Sequence, residues 1–463
     1  MVFSSLPFLF FFLPAVLLGY FLIPARYLRL RNGFLLLMNL VFYAYGEPIY
    51  VLLMLFSVVV NYASGLLLQR STTPGKRRAM LVANVVVNLG LLGFFKYVGL
   101  LTSTLRLLPG LSWIPEVTVA LPIGISFYTF QAMSYVVDVY RDDCPATRSF
   151  VEFAAYISLF PQLIAGPIVR YSDVAAQLVE RKTTVDTFSW GVRMFSIGLA
   201  KKVLLANQFA LLWEQAAKDP MAAGTVVAWC GILAYALQIY FDFGGYSDMA
   251  RGLGAMLGFD FLVNFNYPYI SRSITEFWRR WHISLSSWFR DYVYIPLGGS
   301  RCSKVKMARN LMIVWMLTGF WHGAGWNFLF WGFYYGVLLL LEKLVLQRYL
   351  KRLPAWVGWI YTTLLVLIGW VFFASADLPA AGRYLRVLFT PVAGDAGLWL
   401  LGWLPLGIAG TVAATPLGAK LWTKWKEMPA SQVAAALLCL AALVLSTASL
   451  ASGSYNPFLY FRF

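Results

Sequence analysis

His282 and His322 are the only two histidines in the chain, and both lie in one stretch, residues 273–327, that is rich in tryptophan, arginine and glycine. An imidazole has a pKa of about 6.5, so it accepts and releases protons near neutral pH. A histidine inside a membrane protein is a hypothesis for a functional site, because ionisable groups are costly there. The alternative is a structural histidine that hydrogen-bonds to a neighbouring carbonyl. We therefore take this stretch as the candidate for proton-transfer chemistry.

The first half of the stretch, residues 273–292, has the pattern of one amphipathic helix. Ser273 with Glu276 three residues later forms a capping box, which marks a helix start. At about 100° per residue, the aromatic residues share one face with His282 and the charged residues share the other. The aromatic face consists of Trp278, Trp281, His282, Leu285, Trp288, Phe289 and Tyr292. A charge at the bilayer centre costs about 2.5 to 3.5 kcal/mol, so we expect this helix at an interface or beside a wet cavity.

The second half ends in a run, residues 317–327, in which glycines surround His322. Gly319, Gly323 and Gly325 allow close helix packing or a helix break within an apolar region. Irregular backbone at membrane depth is tolerated only where it is buried in protein or lines a water-filled cavity. We therefore predict a cavity beside His322.

A second polar motif, Tyr-Phe-Asp-Phe-Gly-Gly-Tyr-Ser-Asp-Met-Ala, occupies residues 240–250. Its carboxylates, Asp242 and Asp248, are six residues apart and could bind a cation or act as an acid and a base. Alternatively, they orient local backbone or pair with arginines. The spacing alone leaves both readings open.

The composition indicates a helical protein with many membrane segments. Of 463 residues, 60% are hydrophobic and 12% are charged, and the mean hydropathy is +0.69. Apolar runs of about twenty residues recur along the chain, which excludes a soluble globular protein and argues against a β-barrel. The net charge of +17 falls in short connections between apolar runs, so we expect contact with the lipid bilayer and no nucleic acid.

The four cysteines give no sign of a metal site or a disulfide framework. Cys144, Cys230, Cys302 and Cys439 are scattered, with no Cys-x-x-Cys pair and no nearby histidine. Zinc sites need clustered cysteine and histidine ligands. We predict that no metal and no bound cofactor is needed.

The connections between apolar segments predict the orientation. Arg26, Arg29 and Arg31 follow the first segment, and a second basic connection covers residues 70–78. Short basic connections stay in the cytoplasm, so we expect a protein of the cytoplasmic (inner) membrane with its N-terminus outside. The charge follows the first apolar segment, so that segment is read as a retained helix and not a cleaved signal peptide. The predicted segments are 6–23, 33–45, 48–68, 79–101, 117–139, 150–169, 188–213, 224–243, 328–345, 356–374, 398–414 and 433–450.

Prolines and glycines interrupt two of these segments. Pro122 with Gly124, and Pro161 with Gly166, favour broken or re-entrant helices over clean crossings. Counting such segments gives eleven to thirteen, with no internal repeat and no long polar domain. We expect one membrane domain over residues 1–463.

Several motifs together resemble the membrane-bound O-acyltransferase family, in its branch for bacterial polysaccharide O-acetylation. They are Met-Val-Phe-Ser-Ser at 1–5, Leu-Pro-Ile-Gly-Ile-Ser-Phe-Tyr-Thr-Phe at 121–130, the segment from Pro161 to Pro167, residues 240–250, Ile-Thr-Glu-Phe-Trp-Arg-Arg-Trp-His-Ile-Ser-Leu-Ser at 274–286, Trp321-His322-Gly323 and Tyr-Phe-Arg-Phe at 460–463. A minor departure is Gly244, where serine is usual in the family.

The resemblance implies an all-α bundle of about eleven transmembrane helices, with re-entrant or interfacial helices, around a tunnel from a cytoplasmic donor site to the outer face. The family's signature motifs fall within residues 117–345, which we take as the catalytic core. His322 matches the family's catalytic histidine and His282 its second active-site position, where several members carry asparagine. The other candidates to line the tunnel are Trp278, Arg279, Arg280, Trp281, Asp242, Tyr246, Ser247, Asp248, Trp321 and Asn327.

The implied reaction moves an acyl group, namely acetyl from the thioester donor acetyl-CoA, toward an exported polysaccharide such as alginate. A periplasmic or extracellular acetyltransferase of the SGNH type is the implied partner. Within the family, D-alanyl transfer and peptidoglycan O-acyl transfer are alternatives. Outside it, a polysaccharide transporter or export channel is the alternative, although such proteins often show internal repeats. No Gly-x-Ser-x-Gly motif supports a serine acyl-enzyme.

Overall fold

The computed structural model describes residues 1–394, 396–453, 455, 456 and 459, and the regular structure within these residues is helical, without strands. The Tyr-Phe-Arg-Phe motif at 460–463 lies outside the described residues. The helices of the first part are α1 Leu13–Leu22, α2 Leu28–Gly46, α3 Tyr50–Arg70, α4 Pro74–Arg106, α5 Ile125–Tyr140, α6 Phe150–Ser158, α7 Phe160–Leu163, α8 Tyr171–Val179, α9 Val185–Ala200, α10 Asn207–Lys218 and α11 Pro220–Met256. Those of the second part are α12 Ile274–Arg280, α13 Ile283–Phe289, α14 Lys304–His322, α15 Trp326–Leu341, α16 Gln347–Leu350, α17 Ala355–Ala374, α18 Leu378–Phe389, α19 Gly397–Ala413, α20 Leu417–Trp425 and α21 Pro429–Ala451.

Within the described part of the chain, four π-helical segments extend these helices. They are Phe8–Phe12 before α1, Lys201–Ala206 between α9 and α10, Arg290–Tyr294 after α13, and Glu342–Leu346 between α15 and α16. A 3₁₀ turn, Pro268–Ile270, precedes α12. Such π-segments often occur at functional sites or where a helix changes course.

Among the described residues, seven helices are long and apolar enough to cross a membrane, and an eighth is counted if the bent pair at 399–425 forms one span. The seven are Tyr50–Arg70, Pro74–Arg106, Val185–Lys218, Pro220–Met256, Trp326–Leu350, Ala355–Ala374 and Ala430–Ala451. The predicted count of about eleven is therefore not confirmed. The expected tunnel and the cavity beside His322 stay predictions.

The chain divides into two compact units. Unit one consists of Met1–Phe195 and Ser247–Leu262, and unit two consists of Ser196–Tyr246 and Val263–Phe463. Two of the three boundaries fall inside α9 and α11, and the third falls in the loop after α11. A single domain over residues 1–463 thus stays a prediction.

Unit one is held together partly by buried amides. Asn61 on α3 and Asn88 on α4 exchange side-chain hydrogen bonds of 3.0 Å in both directions, and the Asn84 amide also donates to Asn61 Oδ1 at 3.0 Å. All three side chains are buried. Polar side chains of this kind link helices where water is scarce.

The predicted breaks in unit one are confirmed. The segment around Pro122 begins its helix only after Gly124, whose φ of 78° lies in the left-handed region that glycine adopts readily. The segment around Pro161 divides at Leu159 into α6 and α7. The connection between α2 and α3 is short, because α2 ends at Gly46 and α3 begins at Tyr50.

Unit two has an aromatic core, and glycines bring two of its helices into close contact. A Cβ on Gly319 of α14 would lie 2.3 Å from the carbonyl oxygen of Phe328. A Cβ on Gly332 of α15 would lie 2.3 Å from the carbonyl oxygen of Trp315. Both distances are shorter than any real contact, so glycine at each position allows α14 and α15 to pack backbone to backbone. The close packing predicted for Gly319 is thereby confirmed.

The prediction of one continuous helix over residues 273–292 is wrong. The chain forms α12, breaks at Trp281 and His282, and continues as α13 and a π-segment. His282 has φ 45° and ψ 54°, which is left-handed backbone. Six residues of the aromatic face are nevertheless buried: Trp278, Trp281, His282, Leu285, Trp288 and Phe289.

Candidate active site

His282 occupies the break between α12 and α13. The backbone on either side pairs with the loop that follows α11: Asn266 N donates to Arg280 O at 2.9 Å, and Ile283 N donates to Asn264 O at 3.0 Å. A non-glycine residue in left-handed conformation is strained by about 1 to 3 kcal/mol and persists only where its surroundings impose it. These two bonds supply that constraint. His282 is therefore held at a fixed point by a loop distant in sequence.

The Asn264 side chain holds the imidazole itself. Its Oδ1 lies 3.2 Å from Nδ1 of His282, 3.1 Å from the Ser284 backbone nitrogen and 2.9 Å from Ser284 Oγ. Sequence reasoning missed Asn264, because nothing in the linear pattern links it to a helix that begins ten residues later. The side chains of Asn264, His282 and Ser284 are all buried, so this oxygen is a shared hydrogen-bond acceptor inside the protein.

Rings surround the rest of His282. The centroid of Phe243 lies 4.6 Å from the imidazole, and those of Phe265 and Trp321 lie at 6.4 Å and 6.0 Å. Removal from water disfavours the charged imidazolium. Burial lowers the pKa of His282 to about 3, so the ring is neutral around pH 7.

His322 is the last residue of α14, and the predicted glycine break follows it. Gly323 is extended, and α15 starts at Trp326. The imidazole of His322 is 5% exposed and lies against Trp331 of α15 and Phe373 of α17, each with a centroid distance of 5.1 Å. Three helices therefore fix the position of this ring.

Trp321 connects the two histidines. Its ring lies 4.9 Å from His322 and 6.0 Å from His282. Both imidazoles are buried in unit two. The prediction that the two histidines belong to one site agrees with this shared neighbour.

Three buried donor groups lie around Trp331, whose ring contacts His322. Trp278 Nε1, Trp331 Nε1 and the Tyr335 hydroxyl have no hydrogen-bond partner among the described residues. The three rings are mutual neighbours, with centroid distances of 4.9 to 5.5 Å. Buried polar groups are normally hydrogen-bonded, to protein or to ordered molecules.

The start of α12 is capped from a distant helix. Glu342 carboxylate oxygens accept hydrogen bonds from Ile274 N at 2.6 Å, Thr275 N at 2.8 Å and Thr275 Oγ1 at 2.6 Å. The predicted capping box is half present: Ser273 Oγ accepts from Glu276 N at 3.0 Å. The Glu276 carboxylate reaches the backbone nitrogen of Arg272 instead, at 3.0 Å.

The remaining predicted residues of α12 have mixed surroundings. Trp281 is buried and its ring lies 5.0 Å from Trp370. Arg279 is exposed. Arg280 bonds to Glu276 at 3.0 Å and to the carbonyl of Asn266 at 3.1 Å, so it fastens the loop that holds His282.

Other predicted residues have partners away from the histidines. Asp242 forms a buried ion pair with Lys202 at 2.7 Å and accepts from Leu459 N at 2.9 Å. These contacts favour the second interpretation, in which Asp242 pairs with a basic side chain and orients backbone. The basic partner is a lysine and not an arginine. Asn327 donates to Ser375 O at 2.9 Å and thus links α15 to the end of α17.

The rest of the 240–250 motif is divided between the units. Tyr246 is buried in unit two, whereas Ser247, which is buried, and Asp248, which is half-buried, belong to unit one. The described residues contain no group of three or more histidine, cysteine, aspartate or glutamate side chains suited to a metal ion. The site is thus built from imidazole, amide and aromatic groups.

The family model for membrane-bound O-acyltransferases matches residues 145–375. This range contains both histidines, Asn264 and Glu342. It ends at Ser375, whose carbonyl accepts the bond from Asn327.

Similar curated proteins have related names. A probable alginate O-acetylase, AlgI, of Azotobacter vinelandii is 40% identical, with 100% of each chain covered. A probable alginate O-acetylase of Pseudomonas syringae pv. tomato is 46% identical over 84% of this chain and 75% of its own. A peptidoglycan O-acetyltransferase of Helicobacter pylori is 34% identical over 83% of this chain and 79% of its own. The chain therefore belongs to the membrane-bound O-acyltransferase family and is an all-α, multi-pass membrane enzyme that transfers acyl groups to hydroxyls.

Proposed function

We propose that this protein takes an acetyl group from a cytoplasmic thioester, acetyl-CoA, and moves it across the cytoplasmic membrane for the O-acetylation of an exported polysaccharide such as alginate. The two buried histidines that share Trp321 carry the proposal for the chemistry. The relatives named as alginate O-acetylases favour the acetyl group and an alginate-like acceptor.

The proposed mechanism assigns the proton transfer to His322. Its imidazole removes the proton of the acceptor hydroxyl while the oxygen attacks the thioester carbonyl. The carbon–sulfur bond then breaks, the thiolate leaves, and the imidazolium returns the proton to the sulfur. The buried donor of Trp331, whose ring contacts His322, favours this assignment, since a donor beside a base can stabilise the negative charge that develops on the carbonyl oxygen.

His282 is proposed to assist by orienting the donor or the acceptor. General base catalysis typically contributes about 10² to 10⁴-fold, so we expect His322→Ala to lose at least that much acetyl transfer while the protein remains folded in the membrane. We expect His282→Asn to retain more activity than His322→Asn.

The assay uses purified, monodisperse variants and labelled acetyl-CoA. Full activity in His322→Ala would remove the proposed mechanism. Equal loss in the two asparagine variants would remove only the different roles of the histidines. A D-alanylated carrier protein offered in parallel separates acetyl transfer from the family's other donor chemistry, and a protein inactive with both donors would favour a transport role.

The partner is proposed to be a periplasmic or extracellular acetyltransferase of the SGNH type, which completes the transfer onto the polymer. The longest described segment between α-helices, residues 107–124, is much shorter than a folded domain. Acetylated polymer should form only when both proteins are present.

The proposed orientation places the N-terminus outside the cytoplasm. In a cysteine-free background, we expect an impermeant thiol reagent applied from outside to label cysteines introduced near Glu47 and Ser112. Cysteines near Arg29 and Arg77 should stay unlabelled until the membrane is opened. The reverse pattern would overturn the orientation.

A further inference from the structure

The orientation of the Asn264 amide is fixed by a neighbour that can only donate. The backbone N–H of Ser284 points at the Asn264 side chain at 3.1 Å. A backbone N–H has no acceptor capacity. The atom facing it must therefore be the amide oxygen, because a flipped amide would place an NH₂ group against another donor.

This oxygen in turn fixes the tautomer of His282. Nδ1 lies 3.2 Å from the same Oδ1. An amide oxygen only accepts, so Nδ1 must carry the proton and donate. In a neutral imidazole one nitrogen donates and the other accepts, so Nε2 holds the lone pair. The neutral form is the relevant one because the ring is buried among Phe243, Phe265 and Trp321.

Nε2 of His282 is buried and has no hydrogen-bond partner among the described residues. We infer that Asn264 is a positioning residue that holds His282 in its Nδ1–H tautomer, so that Nε2 meets the reacting molecules as a hydrogen-bond acceptor. The inference deepens the proposed function and rests on it only for the consequence in catalysis. His282 binds an N–H or O–H group of the donor or acceptor, and it does not act as a donor to a carbonyl oxygen.

The tautomer is measurable without any substrate. Since the chain has only two histidines, protein grown with ¹⁵N-histidine and purified through a tag without histidine gives only two imidazole ¹⁵N spin systems. The His322→Ala variant assigns the signals of His282. We expect a protonated Nδ1 and an unprotonated Nε2 at neutral pH. A protonated Nε2 in the wild-type protein would overturn the inference.

Variants of Asn264 test whether its side-chain oxygen determines the tautomer of His282. Asn264→Ala removes the acceptor, so the His282 signals should change toward Nε2 protonation while those of His322 stay in place as an internal check of the fold. Asn264→Asp retains an oxygen against Nδ1 and should keep the tautomer. Its carboxylate also favours the imidazolium, so His282 should protonate at a higher pH than in the wild type.

A matched control removes another buried amide from unit two. Asn310 on α14 is buried and donates to Leu297 O at 2.9 Å. Asn310→Ala should leave the His282 signals unchanged. Unchanged signals in Asn264→Ala, or an equal change in Asn310→Ala, would contradict the positioning role. If Asn264→Ala does not fold, Asn264→Asp decides: an unchanged protonation pH would contradict the role.

Measurements of acetyl transfer then test whether the contact between Asn264 and His282 matters for catalysis. We expect Asn264→Ala to reduce acetyl transfer from acetyl-CoA about tenfold in the wild-type background, the effect of one lost hydrogen bond. In a His282→Ala background it should have no further effect. Equal losses in both backgrounds would show a merely structural role. A protein without acetyl transfer in any background contradicts the proposed function, whereas the NMR result still decides the tautomer.

Discussion

Removal of the Glu342 carboxylate tests how the active site is positioned. This carboxylate accepts three hydrogen bonds from the first two residues of α12, at 2.6 to 2.8 Å. The first amides of a helix have no partner within the helix, and negative charge is favourable there. α12 leads directly to the break at His282. Removing this carboxylate should therefore affect both stability and catalysis.

The expected magnitude follows from the groups left behind. In Glu342→Ala the buried N–H of Ile274 loses its only bond, which costs about 1 to 3 kcal/mol. The two bonds from Thr275, which is half-buried, contribute about 0.5 to 1.5 kcal/mol each. The free energy of unfolding should thus fall by about 2 to 6 kcal/mol. Glu342→Gln retains one acceptor oxygen and should show about half of this loss.

The assay is unfolding in detergent together with acetyl transfer. Glu427→Ala is the control, because this exposed carboxylate has only a long ion pair with Lys426 at 3.6 Å; its effect should stay within about 0.5 kcal/mol. Wild-type stability in Glu342→Ala would refute the reasoning. An equal loss in Glu342→Gln would also refute the reasoning, because the acceptor oxygen that glutamine retains would then contribute no stability.

Two further predictions concern a glycine pair and metals. A Cβ on Gly244 would meet its nearest atoms only at 3.9 Å, so Gly244→Ala should stabilise α11 by about 0.5 to 1 kcal/mol. A Cβ on Gly245 would lie 2.7 Å from Gly198 O, so Gly245→Ala should destabilise by about 1 to 3 kcal/mol; thermal unfolding that ranks the two in the opposite order contradicts this packing. Protein treated with a chelator should keep its acetyl transfer, and a loss restored only by added metal would contradict the metal-free mechanism.

The sequence predicted the helix breaks that are caused by residues at the break itself. Gly124 and Pro161 interrupt their segments through their own backbone geometry. Gly323 follows the end of α14 with extended backbone, and a Cβ on it would lie 2.2 Å from the ring of Phe328. The break at His282 has no such cause in its own residues. The periodicity of residues 273–292 continues through it, and no proline or glycine marks it. Only the distant segment around Asn264 ends the helix there.

The same distinction applies to the site residues. Burial of His282 and His322 followed from residue type and the surrounding hydrophobicity. The role of the carboxylates in residues 240–250 was ambiguous. The sequence around a buried aspartate is the same whether its carboxylate binds a substrate or pairs with a lysine. For Asp242, the ion pair with Lys202 favours the second of these interpretations. Long-range partners of this kind, like the contact from Glu342 to α12, leave no periodic signal in a single sequence.

The geometry at His282 shows why a loop is needed beside a helical site. Left-handed backbone at His282 is unfavourable by about 1 to 3 kcal/mol, and the two backbone bonds to residues 264 and 266 offset it. The same loop supplies the Asn264 oxygen that receives Nδ1–H. Backbone position and tautomer therefore have one structural source, and a change that displaces the loop should alter both together.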